Sequence, residues 1–186
     1  MDQISKMTFI SLLRGINVGG KKSIKMDRLQ ELFEDLGLEK VQTYVQSGNV
    51  IFVAPRISKI ALGQMIKEKI LTDFGVSVSV LLLSSKELKN AIKDNPFLME
   101  KKIDVTKLHV TFLSEIPKKS AIKELEGKSI EPDEFRYSKN RIYLYCPNGY
   151  GRTKLSNTSL EKILSVDATT RNRKTVNELY SISKSA

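Results

Sequence analysis

The sequence predicts an α+β protein with two tandem domains, each with the element order β-α-β-β-α-β. Three observations favour this class: apolar runs of strand length recur along the chain, amphipathic helical segments separate them, and the whole order occurs twice. This split β-α-β order is the ferredoxin-like, or α/β-plait, pattern. We predict an N-terminal domain at 1–85, a helix and linker at 86–104, and a C-terminal domain with an extra C-terminal helix at 105–186.

The first strand and helix surround a glycine-rich loop. The apolar run TFISLLR at 8–14 leads into RGINVGGKKS at 14–23, and apolar residues then recur at helical spacing. Asp27 and Gln30 suit the first turn of this helix as a capping pair. Gly37 ends the helix because glycine tolerates the positive φ of a helix C-terminus.

A hairpin and a second helix complete the first domain. The runs VQTYV and VIFV flank the polar turn QSGN at 46–49, which is the pattern of paired strands. Ser58 is the expected N-cap of the second helix, and Gly75 is its expected end. The strand VSVSVLLL at 76–83 follows.

The second half begins with a short helix whose expected capping box is Ser84 and Glu87, followed by a basic linker. The strand HVTFL, the helix KKSAIKELEG and a second hairpin come next. In that hairpin, EFRYS and RIYLYC surround the two-residue turn Lys139-Asn140, where we expect Asn140 to adopt the positive φ.

The last three elements are a helix, a strand and a closing helix. Thr158 and Glu161 form the expected capping box of the helix LEKILSV, and ATTRN is a short strand candidate. Thr175 and Glu178 are expected to cap the closing helix VNELYSIS.

Composition and charge exclude several classes of protein. The chain has 186 residues, 40% of them hydrophobic, and a formal charge of +10, which is typical of a basic globular protein. No apolar run reaches the roughly 18 residues of a membrane span, and no secretory signal is visible, so we expect a cytoplasmic protein with no membrane association. A single cysteine and a single histidine leave no set of soft ligands for zinc, and we expect neither a metal nor a cofactor.

Positive charge is concentrated in the second half. Residues 86–186 carry 20 Lys+Arg against 13 Asp+Glu, whereas residues 1–85 carry 11 against 8. Two basic loops in the second half, NGYGRTKLSN at 148–157 and TTRNRKT at 169–175, come just before helices, whose N-termini attract phosphate or carboxylate. These loops are either anion-binding sites or ordinary solvated turns.

The loop of the first half resembles a phosphate-binding P-loop only in part. Gly15, Gly20 and Lys21 fit G-x-x-x-x-G-K, but Lys22 stands where a magnesium-binding hydroxyl is required, and a P-loop also needs a parallel sheet. We therefore do not predict P-loop nucleotide hydrolysis. The backbone amides of Gly15, Gly19 and Gly20 form either an anion-binding nest or a plain connection between strand and helix.

Two further constellations have both a functional and a structural interpretation. Arg141, Tyr143 and Tyr145 alternate onto one strand face, where they either stack nucleobases or pack against other protein elements, and we favour packing. His109 and Cys146 are either a thiol–imidazole pair or buried residues, and we favour buried residues.

Five blocks, RGINVGGKKSIKM, TYVQSGNVIF, NPF, YCPNGYGRTKLSN and ATTRN, together resemble a widespread bacterial family of domains of unknown function, over nearly the whole chain. The resemblance implies two ferredoxin-like domains in tandem. It implies no substrate, cofactor or catalytic residue. Its signature positions are rich in glycine, amide and basic side chains: Arg14, Gly15, Asn17, Gly19, Gly20 and Lys22; Gln46, Ser47, Gly48 and Asn49; Gly151, Arg152, Lys154 and Asn157; Thr170, Arg171 and Asn172.

These observations predict a cytoplasmic protein that binds a phosphate-bearing ligand, a nucleic acid or a nucleotide, in a cleft between its two domains. Arg152, Lys154 and Arg171 are the expected phosphate ligands, and Arg14 and Lys22 contribute from the first half. Gln46, Asn49 and Asn172 are expected to add hydrogen bonds. One alternative is an enzyme that acts on a small anionic metabolite with the same loops, although the sequence offers no obvious general base. Another is a basic module that binds an acidic protein.

Overall fold

The computed structural model describes residues 5–17 and 23–186. These residues contain six α-helices and two four-stranded antiparallel sheets, so the predicted α+β class is confirmed. Of the residues singled out in the sequence, Gly19, Gly20, Lys21 and Lys22 lie outside the described residues. Among the described helices, none combines the length with the apolar composition of a segment that crosses a bilayer.

Four strands and two helices form the first half of the fold. In chain order they are β1 (Lys6–Arg14), α1 (Met26–Asp35), β2 (Glu39–Tyr44), β3 (Asn49–Pro55), α2 (Lys59–Phe74) and β4 (Ser79–Ser84). The strands are ordered β2-β3-β1-β4, and each neighbouring pair is antiparallel. The predicted order of elements in this half is therefore confirmed.

The second half repeats this arrangement. After α3 (Ser85–Lys93) and two short 3-10 helices come β5 (Leu108–Leu113), α4 (Lys119–Glu126), β6 (Glu134–Ser138), β7 (Arg141–Tyr145), α5 (Asn157–Leu164), β8 (Ala168–Asn172) and α6 (Arg173–Ser185). The strands are ordered β6-β7-β5-β8 and are all antiparallel to their neighbours. The short strand predicted at ATTRN is confirmed as β8.

One face of each sheet packs against two helices, α1 and α2 in the first half and α4 and α5 in the second. In the first core, the ring of Phe52 lies 5.8 Å from that of Phe9 and 5.3 Å from that of Phe33, a residue of α1. In the second core, Ile142 and Leu144 of β7 are fully buried among residues of α4 and α5. Full burial of each such side chain contributes roughly 1.5–3 kcal/mol to the free energy of unfolding. The core residues are therefore the main source of stability.

The chain divides into two compact units. The first contains Met1–Lys89 together with Glu178–Ala186, and the second is Asn90–Asn177. Within the first unit, the Oγ atoms of Ser85 and Ser183 lie 2.9 Å apart. The domain limits that we set from the sequence stay a prediction.

Several predicted helix starts are wrong by a few residues. α1 begins at Met26 with Lys25 in the N-cap position, so Asp27 lies inside the helix rather than at its cap. Ser156 caps α5, because its Oγ accepts a hydrogen bond from the Ser159 amide at 3.3 Å, and Thr158 lies within the helix. Short polar residues on both sides of a helix start compete for the cap, and their spacing alone does not choose between them.

The same correction applies to the last helix and to one turn. Asn172, rather than Thr175, caps α6, since its Oδ1 accepts a hydrogen bond from the Thr175 amide at 2.7 Å. In the β6–β7 turn the positive φ, 58°, belongs to Lys139 and not to Asn140. The predicted helix ends are confirmed, because Gly37 and Gly75 adopt φ values of 75° and 64°.

Candidate functional site

The topology of the second sheet brings the two basic loops of the second unit together. β5 is antiparallel to both β7 and β8, so the start of β5 and the ends of β7 and β8 lie at the same end of the sheet. The loops at 148–157 and 169–175 follow or include those strand ends. A hydrogen bond joins them directly, because the Thr170 Oγ1 donates to the Asn157 Oδ1 at 2.7 Å.

This hydrogen bond belongs to a short chain that orients the Asn157 amide. The Oγ1 atoms of Thr111 and Thr170 lie 2.7 Å apart, and Thr111 is fully buried. Because the single hydroxyl proton of Thr170 goes to Asn157, Thr111 must donate to Thr170. The Asn157 Oδ1 is thereby occupied, and its Nδ2 group presents two N–H donors at the start of α5.

Arg171 is the most desolvated cation of this region. Its Nη1 donates to the carbonyl of Thr170 at 3.0 Å, and the side chain is partly buried. Burial lowers the pKa of the Arg171 guanidinium to about 10, while the nearby Tyr150 acts in the opposite direction. The group is therefore still charged at neutral pH, and its low-dielectric surroundings strengthen its attraction for an anion.

Arg152 and Lys154 are exposed cations on a loop whose backbone is well anchored. Gly149 adopts a φ of 88° and precedes a 3-10 turn at Tyr150–Arg152. The Thr153 Oγ1 donates to the Asp133 Oδ2 at 2.7 Å and accepts from the Leu155 amide at 3.0 Å. The two cations flank this anchor, and Lys154 reaches the carbonyl of Ser129 at 3.5 Å.

Two helices begin in the same region without acidic residues in their first turns. α5 follows Ser156, and α6 follows Asn172, whose side chain is used as its cap. The exposed Lys174 lies in the first turn of α6, where a basic side chain repels the positive end of the helix dipole. The N-termini of both helices therefore keep a positive electrostatic potential.

Sequence reasoning missed the ring pair of His109 and Tyr150. The two rings stack with centroids 5.0 Å apart and an angle of 27° between their planes. The His109 Nδ1 lies 3.1 Å from the carbonyl of Lys107, which only accepts hydrogen bonds, so Nδ1 carries the proton and Nε2 carries the lone pair. Burial lowers the pKa of His109 below its ordinary value of 6.5, so the ring is neutral at pH 7. Only the rarity of histidine in this chain singled out His109.

Cys146 lacks the environment of a nucleophilic cysteine. It is fully buried in the core of the second unit, and this burial raises the pKa of its thiol to about 11. The thiolate, which is the reactive form, is therefore scarce at neutral pH. Our interpretation of Cys146 as a buried residue is confirmed. Among the described residues, no group of three or more His, Cys, Asp and Glu side chains is arranged to hold a metal ion.

The polar signature residues of the first unit mainly hold its loops in place. The Asn17 Nδ2 donates to the carbonyls of Ile24 and Gln46, both at 3.0 Å, and its Oδ1 accepts from the Ile24 amide at 2.7 Å. The Asn49 side chain is buried, and its Nδ2 donates to the Tyr44 carbonyl and to the Ser47 Oγ, both at 2.9 Å. These bonds bring the loop after β1 to the turn at 46–49.

The remaining predicted residues of the first unit lie around this junction. Arg14 is partly buried at the end of β1, and Gly15 follows it with a φ of 93°. Gln46 and Ser47 are exposed on the turn. A ligand role for these residues, and the predicted cleft between the two domains, stay predictions.

The aromatic face of β7 is not a platform for nucleobases. Tyr143 is fully buried and Arg141 is 7% exposed, so neither ring nor guanidinium face is accessible to a base. A short 3-10 helix at Pro96–Met99 covers this strand, with the ring of Phe97 at 6.2 Å from that of Tyr145. The packing interpretation of these residues is confirmed.

A family model described as a protein of unknown function, DUF1697, matches residues 7–143. The chain belongs to the DUF1697 family. The match includes the residues at 14–17 and 46–49 and ends before the basic loop at 148–157.

This DUF1697 chain is also similar to a solved structure, that of the conserved bacterial protein SP0830 from Streptococcus pneumoniae. The two are 23% identical with a TM-score of 0.75, and the similarity covers 97% of this chain and 99% of the other. At this identity the similarity shows a shared fold. None of the curated proteins matches the sequence.

Proposed function

We propose that this DUF1697 protein binds a phosphate-bearing ligand, a nucleic acid or a nucleotide, at the end of the second sheet where its two basic loops meet. The hydrogen bond between Thr170 and Asn157 carries this proposal, because it joins two loops that are, each by its own sequence, candidates for anion binding. Arg152 and Lys154 bind phosphates from the exposed side. The partly buried Arg171 and Asn157 reach the ligand from opposite faces of β8, at the end of that strand.

Phosphate fits this donor set better than an isolated carboxylate does. Three cations and two helix N-termini supply more donors than the two oxygens of one carboxylate use, whereas a phosphate offers several acceptor oxygens and more charge. A net charge of +10 further raises the local concentration of polyanions around the protein.

We also propose a ferredoxin-like topology for each unit and a cytoplasmic location. The β-α-β-β-α-β order occurs in both units, and in both the first strand lies between the third and the fourth, which supports the topology. The location rests on the basic, globular composition and on apolar runs that are all shorter than a membrane span.

The test is a binding titration with a labelled single-stranded oligonucleotide over a series of salt concentrations, with mononucleotides as competitors. We compare the protein with Arg152→Glu/Lys154→Glu and with the control Lys118→Glu/Lys119→Glu. The control makes the same change of charge at the opposite end of the second sheet, at the start of α4. The site variant is expected to bind roughly tenfold or more weakly and to lose about 1.4 from its salt slope, at about 0.7 per phosphate contact.

The control variant is expected to keep most of the affinity. Equal losses in the two variants would mean that only net charge matters, and the proposed site would then be wrong. Absence of saturable binding near physiological salt, to oligonucleotides and mononucleotides alike, would contradict the proposed function itself.

His109 favours a second candidate, an enzyme that acts on a small anionic substrate in this region. A neutral imidazole whose Nδ1–H is held by a backbone carbonyl is oriented for Nε2 to accept a proton. Incubation with nucleotide and metabolite pools tests this candidate: turnover should disappear in His109→Gln while ligand binding remains. Turnover that persists in this variant, or that is absent from the native protein, argues against it.

A further inference from the structure

Arg141 of β7 is a buried cation with unpaired donors. Its side chain is 8% exposed, and among the described residues its Nε and Nη1 atoms have no hydrogen-bond partner. Tyr143, two residues along the same strand, is fully buried, and its hydroxyl also lacks a partner within the described part of the chain. Because side chains alternate along a strand, both residues belong to the same face of the second sheet.

The ion pair that Arg141 forms is weak. The Asp94 Oδ2 lies 3.6 Å from the Arg141 Nη2, beyond hydrogen-bond distance, and the Asp94 side chain is 46% exposed. Arg136, which lies opposite Tyr143 on β6, contacts two other carboxylates of this region, those of Glu100 and Glu134, at 3.3 and 3.2 Å. Both carboxylates therefore pair with Arg136, and Asp94 supplies the negative charge nearest to Arg141.

This cluster lies on the opposite sheet face from the hydrogen bond that joins the two basic loops. Arg141 is paired with Phe112 of β5, whereas Thr170 is paired with the adjacent Thr111. Arg171 is paired with Val110, as Tyr143 is, and therefore lies on the Arg141 face. Asp94 directly precedes the segment that covers the Arg141 face. Asn95 anchors that segment, because its Oδ1 accepts from the Phe97 amide at 3.1 Å.

The chemistry of the unpaired atoms defines the class of ligand. The guanidinium N–H groups only donate, and the Tyr143 hydroxyl has its proton to donate, so a matching group needs several acceptor atoms. A buried guanidinium also requires negative charge, because a neutral partner satisfies its hydrogen bonds but not its charge. An oxyanion meets both requirements.

We propose that Arg141 and Tyr143 form a binding site for a small oxyanion, a carboxylate or a phosphate, and that Asp94 occupies the mouth of this site until the ligand displaces it. The exposed carboxylate of Asp94 is an internal competitor for the same guanidinium. The site uses none of the residues proposed to bind phosphate in the two basic loops and does not rest on the function proposed for them; Arg171 of those loops lies on the same sheet face.

The test follows the Nε–H resonance of Arg141 by nuclear magnetic resonance in the full-length protein labelled with nitrogen-15. The resonance is assigned by its disappearance in Arg141→Lys. Sodium phosphate and sodium acetate are titrated separately at constant ionic strength, so that the two sources of an oxyanion are distinguished. We expect a saturable shift of this resonance with at least one of them.

Asp94→Asn removes the internal competitor and is expected to tighten binding about tenfold, as removal of a close like charge should. Glu126→Gln is the control, since it makes the same change of charge at an exposed residue of α4. Equal anion affinities in these two variants would overturn the proposal. An Arg141 resonance that shifts with neither phosphate nor acetate would also overturn it. Both variants keep Arg141 and Tyr143, and titration calorimetry compares their anion affinities without an assigned resonance, so the comparison holds even where Arg141→Lys does not fold.

Discussion

Gly48 illustrates how closely single residues of the first unit are constrained. It lies in the polar turn between β2 and β3 with a φ of 73°. A Cβ atom at this position would lie 2.9 Å from the Leu13 Cβ and 3.1 Å from the Ile16 Cδ1. Its carbonyl accepts a hydrogen bond from the Leu13 amide at 2.8 Å. The turn that suggested a ligand site in the sequence therefore also has a strict structural requirement for glycine.

Gly48→Ala is expected to destabilise the protein by about 2–4 kcal/mol, because left-handed strain and a backbone-proximal clash add. Gly37→Ala is the matched control: its φ is 75°, but nothing lies within 4 Å of the added Cβ. The control should lose only about 1 kcal/mol. Urea titrations measure both free energies of unfolding, and similar losses would show that the contact with Leu13 relaxes at little cost.

At the scale of elements, the start of α3 combines a capping box with an ion pair. The Glu87 carboxylate accepts hydrogen bonds from the Ser84 amide at 2.7 Å and from the Ser84 Oγ at 2.6 Å, and the Glu87 amide donates to that Oγ at 3.3 Å. Lys59 of α2 pairs with the same carboxylate. Burial raises the pKa of Glu87, but the bonds from Lys59 and Ser84 outweigh it, so the pKa lies below its ordinary value of 4.5.

A lowered carboxyl pKa makes the stability from Glu87 dependent on pH. The stabilisation is complete above the unfolded pKa of 4.5 and is lost as the pH falls through the lower pKa of the folded state. Glu87→Gln should therefore be less stable than the native protein at pH 7, and this difference should shrink below pH 4.5. Native-state hydrogen exchange of the first unit measures it, with Glu126→Gln as the control. A difference that stays constant down to pH 3 would rule out this linkage.

The start of α5 matters because it lies in the proposed phosphate site. Ser156→Ala is expected to cost about 1 kcal/mol, the typical value of a lost N-cap. Thr158→Ala, within the helix, should cost less than Ser156→Ala, because the Ser156 Oγ is the acceptor of the Ser159 amide. Urea unfolding measures the loss of stability in both variants. A larger loss in Thr158→Ala would show that Thr158 is the N-cap.

At the scale of the whole molecule, α6 contributes to both compact units. Its first residues belong to the second unit, and Glu178–Ala186 belong to the first. In the first unit, Leu179 is fully buried, and Ser183 contacts Ser85 of α3. The predicted extra helix at the C-terminus is therefore a part of the first unit over most of its length.

Deletion of residues 178–186 should accordingly destabilise the first unit more than the second. The measurement is amide hydrogen exchange, in which β1 and β3 should lose more protection than β5 and β7. Deletion of 184–186 alone is the control, because it leaves Leu179 and Ser183 in place. If both sheets lose equal protection, the C-terminal residues do not act mainly on the first unit.

The sequence by itself determined the elements of this protein and their order. Strands and helices follow from the local alternation of apolar residues, and residues such as Gly37 and Gly75 end helices because their backbone freedom is intrinsic. The exact caps were less predictable. Ser156 and Thr158 are both suitable for the first turn of α5, and only the final path of the chain selects between them.

Only the tertiary structure decided which residues meet and which are buried. Thr111 and Thr170 are 59 residues apart in the chain, and the pairing of β5 with β8 brings their hydroxyls to 2.7 Å. The sequence marks Asn17 and Asn157 as equally plausible ligands. The hydrogen bonds of Asn17 are used to join its loop to the turn at 46–49, whereas Asn157 keeps its Nδ2 donors. Arg141 likewise becomes a buried cation only when its sheet face is covered. Strand pairing and burial depend on contacts between distant residues, and local periodicity carries no information about them.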